Sequence, residues 1–391
     1  MISFEEALDI VKSNIPDPVG ERILLSLANG RVLAEDIVCD QDIPSFNKSA
    51  VDGFACRRAD LHGPLKVIET IPAGKEPGKK IGAGQCARIM TGAMVPEGAD
   101  CVVMIEDTEE QPGGNIRCTT DKVSQNIRNR AEDLIKGTLV LKKGSLIRPQ
   151  EIALLATVGA VNPLVFRQPV IGIASTGDEL VEPDKTPGIS QIRDSNGMQL
   201  LAQMEQMGIR AKFLGILPDV REKIRKAIEI SLHGSDILIL SGGVSMGDFD
   251  HIPEVMKDLG MQILFKSLAI QPGRPTVLAR KGNQFVWGLP GNPVSAFVLF
   301  ELLVKTHLFA WMEYSFEPLI IRLPLGRSYS RKKSSRLSWL PVKIHDHQAW
   351  PVEYHGSAHI HAYTSADALL PVPIGVTEIV EGTMVEVRVI Q

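Results

Sequence analysis

The stretch SGGVSMGDFDH, Ser241 to His251, sets three glycines and two aspartates directly behind the apolar run DILIL. A glycine-rich turn behind a strand exposes backbone N–H groups that suit an anion such as phosphate. Asp248 and Asp250 would repel that anion unless a counter-charge stands between them. Two further apolar runs end in the same manner, VIGIA in STGDEL and FVWGL in PGNP. Hydroxyls of Ser175, Thr176, Ser241 and Ser245, the backbone around Gly177, Gly242 and Gly243, and the helix opening at Pro290-Gly291-Asn292-Pro293 could all face phosphate oxygens. Any one such loop reads equally well as a tight turn. Three together, with Asp178, Glu179, Asp248 and Asp250 crowded at one edge, point to a hard dication, Mg²⁺, bridging carboxylates and a phosphoester or pyrophosphate.

A second constellation lies nearer the N-terminus. NKSAVDGFACR puts Asp52 on a turn before Gly53, MTGAMVPEGAD offers Thr91 and Gly92, and RNRAED packs Arg128, Arg130, Glu132 and Asp133 together. Arginine forks suit tetrahedral oxyanions. Taken alone, that charged run reads as a solvated loop. GAGQCA lacks the third glycine of a dinucleotide fingerprint and reads as a β turn. His345/His347 and His359/His361, with His355 nearby, alternate like one polar strand face and complete no metal geometry. The five cysteines, all in the first third and without C-x-x-C, read as reduced thiols.

These loops need elements to hold them. Residues 1–44 show helical periodicity, Phe4, Leu8 and Val11 on one face and Ile23, Leu24 and Leu27 on another. Residues 45–133 alternate short β-like runs with Gly/Pro turns, the texture of an inserted β module. RPQEIALLATVGA predicts a helix from Pro149 to near Gly159, returning to the first helices, so that 1–44 and 134–168 form one discontinuous helical domain. From 169 to 312 strand and helix alternate, which predicts a parallel sheet covered by helices, and 313–391 returns to strands. At 391 residues with 42 basic and 46 acidic side chains, the composition is that of a multidomain globular protein with no global attraction to nucleic acid or membrane. MISFEEALDI meets acids before any signal h-region, and the longest apolar segment, 293–312, carries Glu301, Lys305 and His307, so a core helix and a cytoplasmic location are expected.

PSFNKSAVDGFACR, MTGAMVPEGADCVV, ASTGDELVEP with DSNG, SGGVSMGDFD, LAIQPGRP and GLPGNPVSAF occur in the order and spacing of the molybdopterin molybdenumtransferase family, which is similar to the E domain of gephyrin. The resemblance covers nearly the whole chain. It implies a homodimer of multidomain α/β plus β subunits: a discontinuous helical domain, an inserted β domain, a central α/β molybdopterin-binding domain and a C-terminal β barrel. It further implies insertion of molybdate into adenylyl-molybdopterin with Mg²⁺-dependent release of AMP, supply by a molybdopterin adenylyltransferase, and delivery to acceptor molybdoenzymes.

By motif the resemblance carries roles onto Asp52, Thr91 and Asp133, and onto Glu179, Asp219, Asp250 and Lys266 in the α/β cleft. Glu179, Asp248 and Asp250 are then expected to place Mg²⁺ and phosphate, Lys266 and Arg274 to neutralise oxyanion charge, and Asp52 and Asp133, from the other half of the molecule or the partner subunit, to orient metal or water at the anhydride. Three positions differ from the family pattern. Gln271 and Arg274 stand in QPGRP where K-P-G-K-P is common, Ala131 replaces a glycine, which matters if the backbone there is left-handed, and GSAHIH lacks a second glycine after the serine. A non-catalytic molybdopterin-binding scaffold leaves the clustered carboxylates without a use. The adenylyltransferase reading leaves the N-terminal acidic motifs and the terminal barrel unexplained.

Overall fold

Ser3 opens the first helix, α1 (Phe4–Ser13), with a capping box: its hydroxyl accepts the Glu6 N–H and the Glu6 carboxylate accepts the Ser3 N–H. Phe4, Ala7 and Val11 form the buried stripe, which packs on the last helix of the α/β layer described below. The structure, a computed structural model, describes residues 1–120, 122–244 and 251–390, so Ser245, Asp248 and Asp250 lie outside the described residues. The chain divides into one unit of Met1–Ala34, Gly144–Pro149 and Asn162–Gln391 and another of Glu35–Lys143 and Gln150–Val161.

The unit holding residues 35–143 centres on six strands, β1 (Gly53–Cys56), β2 (Pro64–Ile71), β3 (Gln85–Ile89), β4 (Cys101–Met104), β5 (Thr108–Gln111) and β6 (Asn115–Cys118), in the order β4-β1-β3-β2-β6-β5. Only β2 and β3 pair in parallel. A Cβ on Gly53 would stand 1.9 Å from the Val103 carbonyl oxygen, so the backbone approach of β1 to β4 requires glycine there. Cys56 lies opposite Cys86 on one side and Cys101 on the other, and all the cysteines are free thiols. The helix α2 (Pro149–Thr157) forms where Pro149 and Gly159 place its ends; its residues from Gln150 onward cluster with this unit.

In the other unit a six-stranded sheet runs β8-β7-β9-β13-β12-β10, from β7 (Ile171–Thr176), β8 (Ala211–Leu217), β9 (Ile237–Ser241), β10 (Gln262–Phe265), β12 (Val277–Lys281) and β13 (Gln284–Leu289). Between them lie α3 (Asn196–Gln206), α4 (Arg221–Gly234) and α5 (Ile252–Asp258). The strands β8, β7, β9 and β13 are parallel, as the alternating sequence predicts. Strict alternation fails at β12, which joins β13 through a turn at Gly282 (φ 59°) too short for a crossover, so this pair is antiparallel. After β13 the chain forms α6 (Pro293–Leu299), a π turn (Phe300–Val304) and α7 (Lys305–Trp311), the helix that carries α1. This rod is long and apolar enough to cross a membrane, but 83% of its most apolar window is buried inside the protein, as expected of a core helix. Within it, burial pushes the His307 imidazole down to about 4, and Trp287 donates its indole N–H to His307 Nδ1 at 3.1 Å.

The C-terminal strands β14 (Ile320–Pro324), β15 (Leu337–His345), β16 (Gln348–Pro351), β17 (Ala368–Val372) and β18 (Met384–Val389) curl into a barrel, ordered β15-β17-β18-β14 with β16 on the other side of β15. It closes where Leu325 bridges Ala349 and the Gly326 N–H reaches the Ala349 carbonyl at 2.9 Å. The two-residue strand β11 (Ile270–Gln271) leaves the α/β layer and pairs in parallel with Leu337–Ser338 of β15.

Two expectations are corrected. The apolar residues Ile23, Leu24 and Leu27 do not build a second helix: Gly20–Arg22 pairs with Leu164–Phe166 as a strand, only a 3₁₀ turn follows at Leu25–Leu27, and Leu24 and Leu27 are exposed. The C-terminal histidines do not share a strand face. His345 ends β15, His347 sits in the β15–β16 turn at φ 58°, and His361 lies in a 3₁₀ segment (Ile360–Ser365) that follows His359.

Ala131 occupies φ 62°, the left-handed region, with its N–H on the Pro44 carbonyl at 2.9 Å. A Cβ there costs about 1–2 kcal/mol, partly offset by the larger unfolded-state freedom of glycine. Ala131→Gly is therefore predicted to stabilise the protein by roughly 0.5–1 kcal/mol in urea unfolding; a loss of stability would contradict this.

Candidate functional site

Because β7, β9 and β13 are adjacent and parallel, their C-terminal ends bring STGDEL, SGGV and PGNP side by side, where open α/β sheets bind ligands. What locks the loops together is the start of α3. Asp194 is buried, accepts the Ser175 hydroxyl at 2.8 Å with one carboxylate oxygen, and with the other caps the N–H groups of Asn196 and Gly197 at 3.1 and 3.2 Å. Asn196, also buried, donates to the Ser241 hydroxyl at 2.7 Å and to the Gly291 carbonyl at 2.8 Å. One helix N-terminus thus holds the ends of all three strands.

The loops themselves approach closely. A Cβ on Gly242 (φ 102°) would lie 2.3 Å from the Thr176 carbonyl oxygen, and one on Gly291 would touch the Gly242 Cα at 3.6 Å. The Gly242 N–H is bound to the Leu289 carbonyl at 2.9 Å. The Thr176 hydroxyl is buried and has no hydrogen-bond partner among the described residues, a donor that a ligand oxygen can satisfy. On the outer side of β7, Asp178 and Glu179 are exposed. The Glu179 carboxylate folds back over Gly177, with Oε2 2.6 Å from where a Cβ would stand, and Asp178 accepts the Asp219 N–H at 3.1 Å. Among the described residues no group of three His, Cys, Asp or Glu forms a metal cage; Asp248 and Asp250 of the expected set fall outside them.

Beside the second and third loops opens a cavity of about 810 Å³. Pro290 and Asn292 line it from the sheet edge, and Lys266, Arg274, Lys257 and Arg336 face it with Glu254 as the only carboxylate among the described residues. Four cations against one carboxylate make it an anion-attracting hollow. Lys266 and Arg274 were legible in the sequence. Arg336, with Tyr354 and Ser357, was not: it reaches the cavity because β11 pairs with β15 in the register Ile270 to Leu337, which sets Arg336 beside the QPGRP segment. Its guanidinium lies 3.5 Å from the Ile270 carbonyl. The Ser357 carbonyl accepts the Val294 N–H at 3.1 Å, fixing the barrel loop to the start of α6. Asp194 and Asn196 stood in the DSNG motif without a role; an Asp two residues before an Asn at a predicted helix start is the capping signal that could have found them.

In the other unit, Asp52 and Thr91 are brought together. Asp52 Oδ1 accepts the Thr91 N–H at 2.6 Å and the Thr91 hydroxyl at 3.0 Å, and these bonds hold its carboxyl below the usual range. Asp133 is anchored by its own N–H to the Ile43 carbonyl at 2.9 Å, and no hydrogen bond links it to the Asp52–Thr91 pair among the described residues. RNRAED is tied down: Arg128 pairs with Glu132 at 2.7 Å and Arg130 with Asp42 at 2.7 Å.

Three family models match the chain: the MoeA N-terminal region (domain I and II) over residues 2–159, a probable molybdopterin binding domain over 172–310, and the MoeA C-terminal region (domain IV) over 322–390. A molybdopterin molybdenumtransferase of Bacillus subtilis is 35% identical over 376 residues, covering 92% of this chain and 87% of the relative. One of Staphylococcus epidermidis is 39% identical over 311 residues, covering 78% and 74%. The crystal structure of a molybdopterin biosynthesis moeA protein from Pyrococcus horikoshii superposes with a TM-score of 0.83 at 29% identity, covering 100% of both chains.

Two outcomes test this geometry. Asn196→Ala removes two buried donors and is predicted to cost about 1–3 kcal/mol, with faster amide exchange at Gly242 and Gly291; unchanged exchange there would exclude the brace. Thr91→Val removes one bond to ionised Asp52, so the folded-state pKa of Asp52 rises toward its unfolded value. The depressed pKa gives stability that is present above the unfolded value and lost as pH falls through the folded one, and Thr91→Val moves that loss to higher pH. A carboxyl ¹³C titration measures it, and an unmoved Asp52 midpoint would contradict the assignment.

Proposed function

The chain belongs to the molybdopterin molybdenumtransferase family and is a transferase of molybdenum cofactor biosynthesis; on that premise we propose that it inserts molybdate into the dithiolene of adenylyl-molybdopterin and releases AMP with Mg²⁺. The observation that supports the proposal is the pairing, in one unit, of glycine-rich strand-end loops with a cavity lined, among the described residues, by four cations and one carboxylate. A phosphoanhydride and a tetrahedral dianion are the two ligands those features suit.

In this reading the Gly243 backbone, the unpartnered Thr176 hydroxyl, Ser245 and the Asn292 helix start hold the phosphoryl oxygens. The Ser175 and Ser241 hydroxyls and the Gly242 N–H, expected as phosphate contacts, are instead taken up inside the protein by Asp194, Asn196 and the Leu289 carbonyl, and keep the loops preorganised. Lys266, Arg274 and Arg336 collect molybdate. Arg336 makes up for the cation that Gln271 lacks, and the arginine forks favour bidentate contact with a tetrahedral oxyanion. Asp52, held ionised by Thr91, and Asp133 are the acids of the other unit proposed to orient metal or water, whether this chain or the partner subunit supplies them.

The donor set fits Mg²⁺, which takes hard oxygen ligands and retains water and phosphate oxygens, so it needs only one or two carboxylates. Glu179, exposed and turned over Gly177, is the described member; Asp248 and Asp250, the other two proposed ligands, lie outside the described residues. Held there, the ion would supply the positive charge that offsets these carboxylates and favours a phosphoryl ligand. We further propose that the protein acts in the cytoplasm as a homodimer, receiving its substrate from a molybdopterin adenylyltransferase and passing its product to acceptor molybdoenzymes, with no part for nucleic acid or membrane.

The expected outcome is AMP release from adenylyl-molybdopterin only when molybdate and Mg²⁺ are both present, with Asp52→Ala slowing release far more than it weakens binding. Arg336→Gln should raise the molybdate concentration for half-maximal rate by on the order of tenfold, the worth of one charge-assisted hydrogen bond. Tight binding of the substrate with AMP release no faster than in buffer would establish a binding protein instead.

A further inference from the structure

On a different side of the same unit, sharing no lining residue with the Lys266 cavity, lies a second cavity of about 530 Å³. Its polar floor is a buried ionic cluster. Glu301, in the π turn, accepts the Gln203 amide at 2.8 Å and the Lys305 ammonium at 3.1 Å. Arg388 of β18 is buried and donates to the Glu301 backbone carbonyl, and no carboxylate forms a salt bridge with it among the described residues. A buried Arg388 and a half-buried Lys305 therefore share the charge of one buried carboxylate, Glu301. Burial depresses Arg388 to about 10, the mark of a guanidinium whose lost hydration is incompletely replaced. Glu205 and Glu317 stand exposed at the rim, where water screens them.

The walls are apolar. Phe309 and Phe316 stack at 4.8 Å, and Lys305 and Arg388 both lie over the Phe316 ring, at 5.6 and 5.8 Å. Tyr314, Pro318 and Leu319 complete the hollow. The π turn is the local irregularity that makes it: widening the helix at Phe300–Val304 sets Glu301 and Lys305 into the cluster, and such turns recur at functional sites. A cavity of this volume, with an aromatic wall and convergent polar groups at its floor, has the properties of a small-molecule site.

We propose that this cavity binds a small carboxylate with an apolar body, the carboxylate pairing with Arg388 and Lys305 and the body resting on Phe309 and Phe316. At the cavity floor two cations meet one carboxylate, which leaves room for one further negative charge, and the aromatic wall excludes a bare inorganic anion as the best match. Calorimetric titration of the full-length protein with phenylacetate, and with phenylacetamide as the uncharged match in shape, tests it. Phenylacetate should bind one per chain and phenylacetamide at least about tenfold more weakly, as expected for loss of a charge-assisted hydrogen bond. Arg388→Met should weaken phenylacetate by a similar factor, whereas Lys266→Gln, in the other cavity, should leave it unchanged. Should Arg388→Met not fold, Lys305→Met and the acid-to-amide comparison on the unaltered protein decide the matter. Equal binding of acid and amide, no binding of either, or loss of phenylacetate binding in Lys266→Gln alone would overturn the proposal.

Discussion

The functional edge of the α/β layer depends on two side chains at the start of one helix. Asp194 and Asn196 together bind Ser175, Ser241 and Gly291, one partner on each of three strand ends, while capping the helix that carries them. Parallel strands alone bring these ends close, but each loop carries backbone in the left-handed region or stripped of side chains, which a free loop would not keep. Buried polar groups that are mutually satisfied rigidify a site, and the same low dielectric makes each of them costly to lose. Positioning therefore comes from residues that need not meet the ligand.

Charge is arranged around that frame in two layers. Exposed carboxylates stand on the outer side of the β7 loop, whereas the cations gather in the cavity reached from the second and third loops. In the proposed function, this separation of the two signs among the described residues lets one edge serve a phosphate through a dication and a second oxyanion directly. The barrel is part of this arrangement. Pairing of β11 with β15 brings Arg336 next to QPGRP, and the Ser357 carbonyl is bound to the start of α6.

Much of this was legible in the sequence. The alternation of VIGIAS, AKFLGIL, DILIL and FVWGL with helical runs gave the parallel strands and hence the shared edge, because period and loop composition are local properties. Lys266 and Arg274 could be placed by motif. Arg336 could not, since its approach follows from a two-residue strand pairing that no periodicity announces. The antiparallel β12 was hidden for a related reason: a short turn and a crossover follow equally apolar strands. Ile23, Leu24 and Leu27 show the opposite failure. Their spacing suits a helix, but pairing of Gly20–Arg22 with Leu164–Phe166 claims the backbone first and leaves two leucines exposed. Asp52 and Thr91 were recognised separately, and the fold supplies what spacing lacked, a direct bond between them.

The most direct measurement is a crystal structure of the protein grown with molybdate, Mg²⁺ and AMP. A tetrahedral oxyanion is predicted among Lys266, Arg274 and Arg336 and the AMP phosphate against Gly243 and the Thr176 hydroxyl, with Asn196 still bound to Ser241 and Gly291. Molybdate settled instead in the Lys79–Lys80 hollow of the β unit, with the strand-end loops free of phosphate, would contradict it.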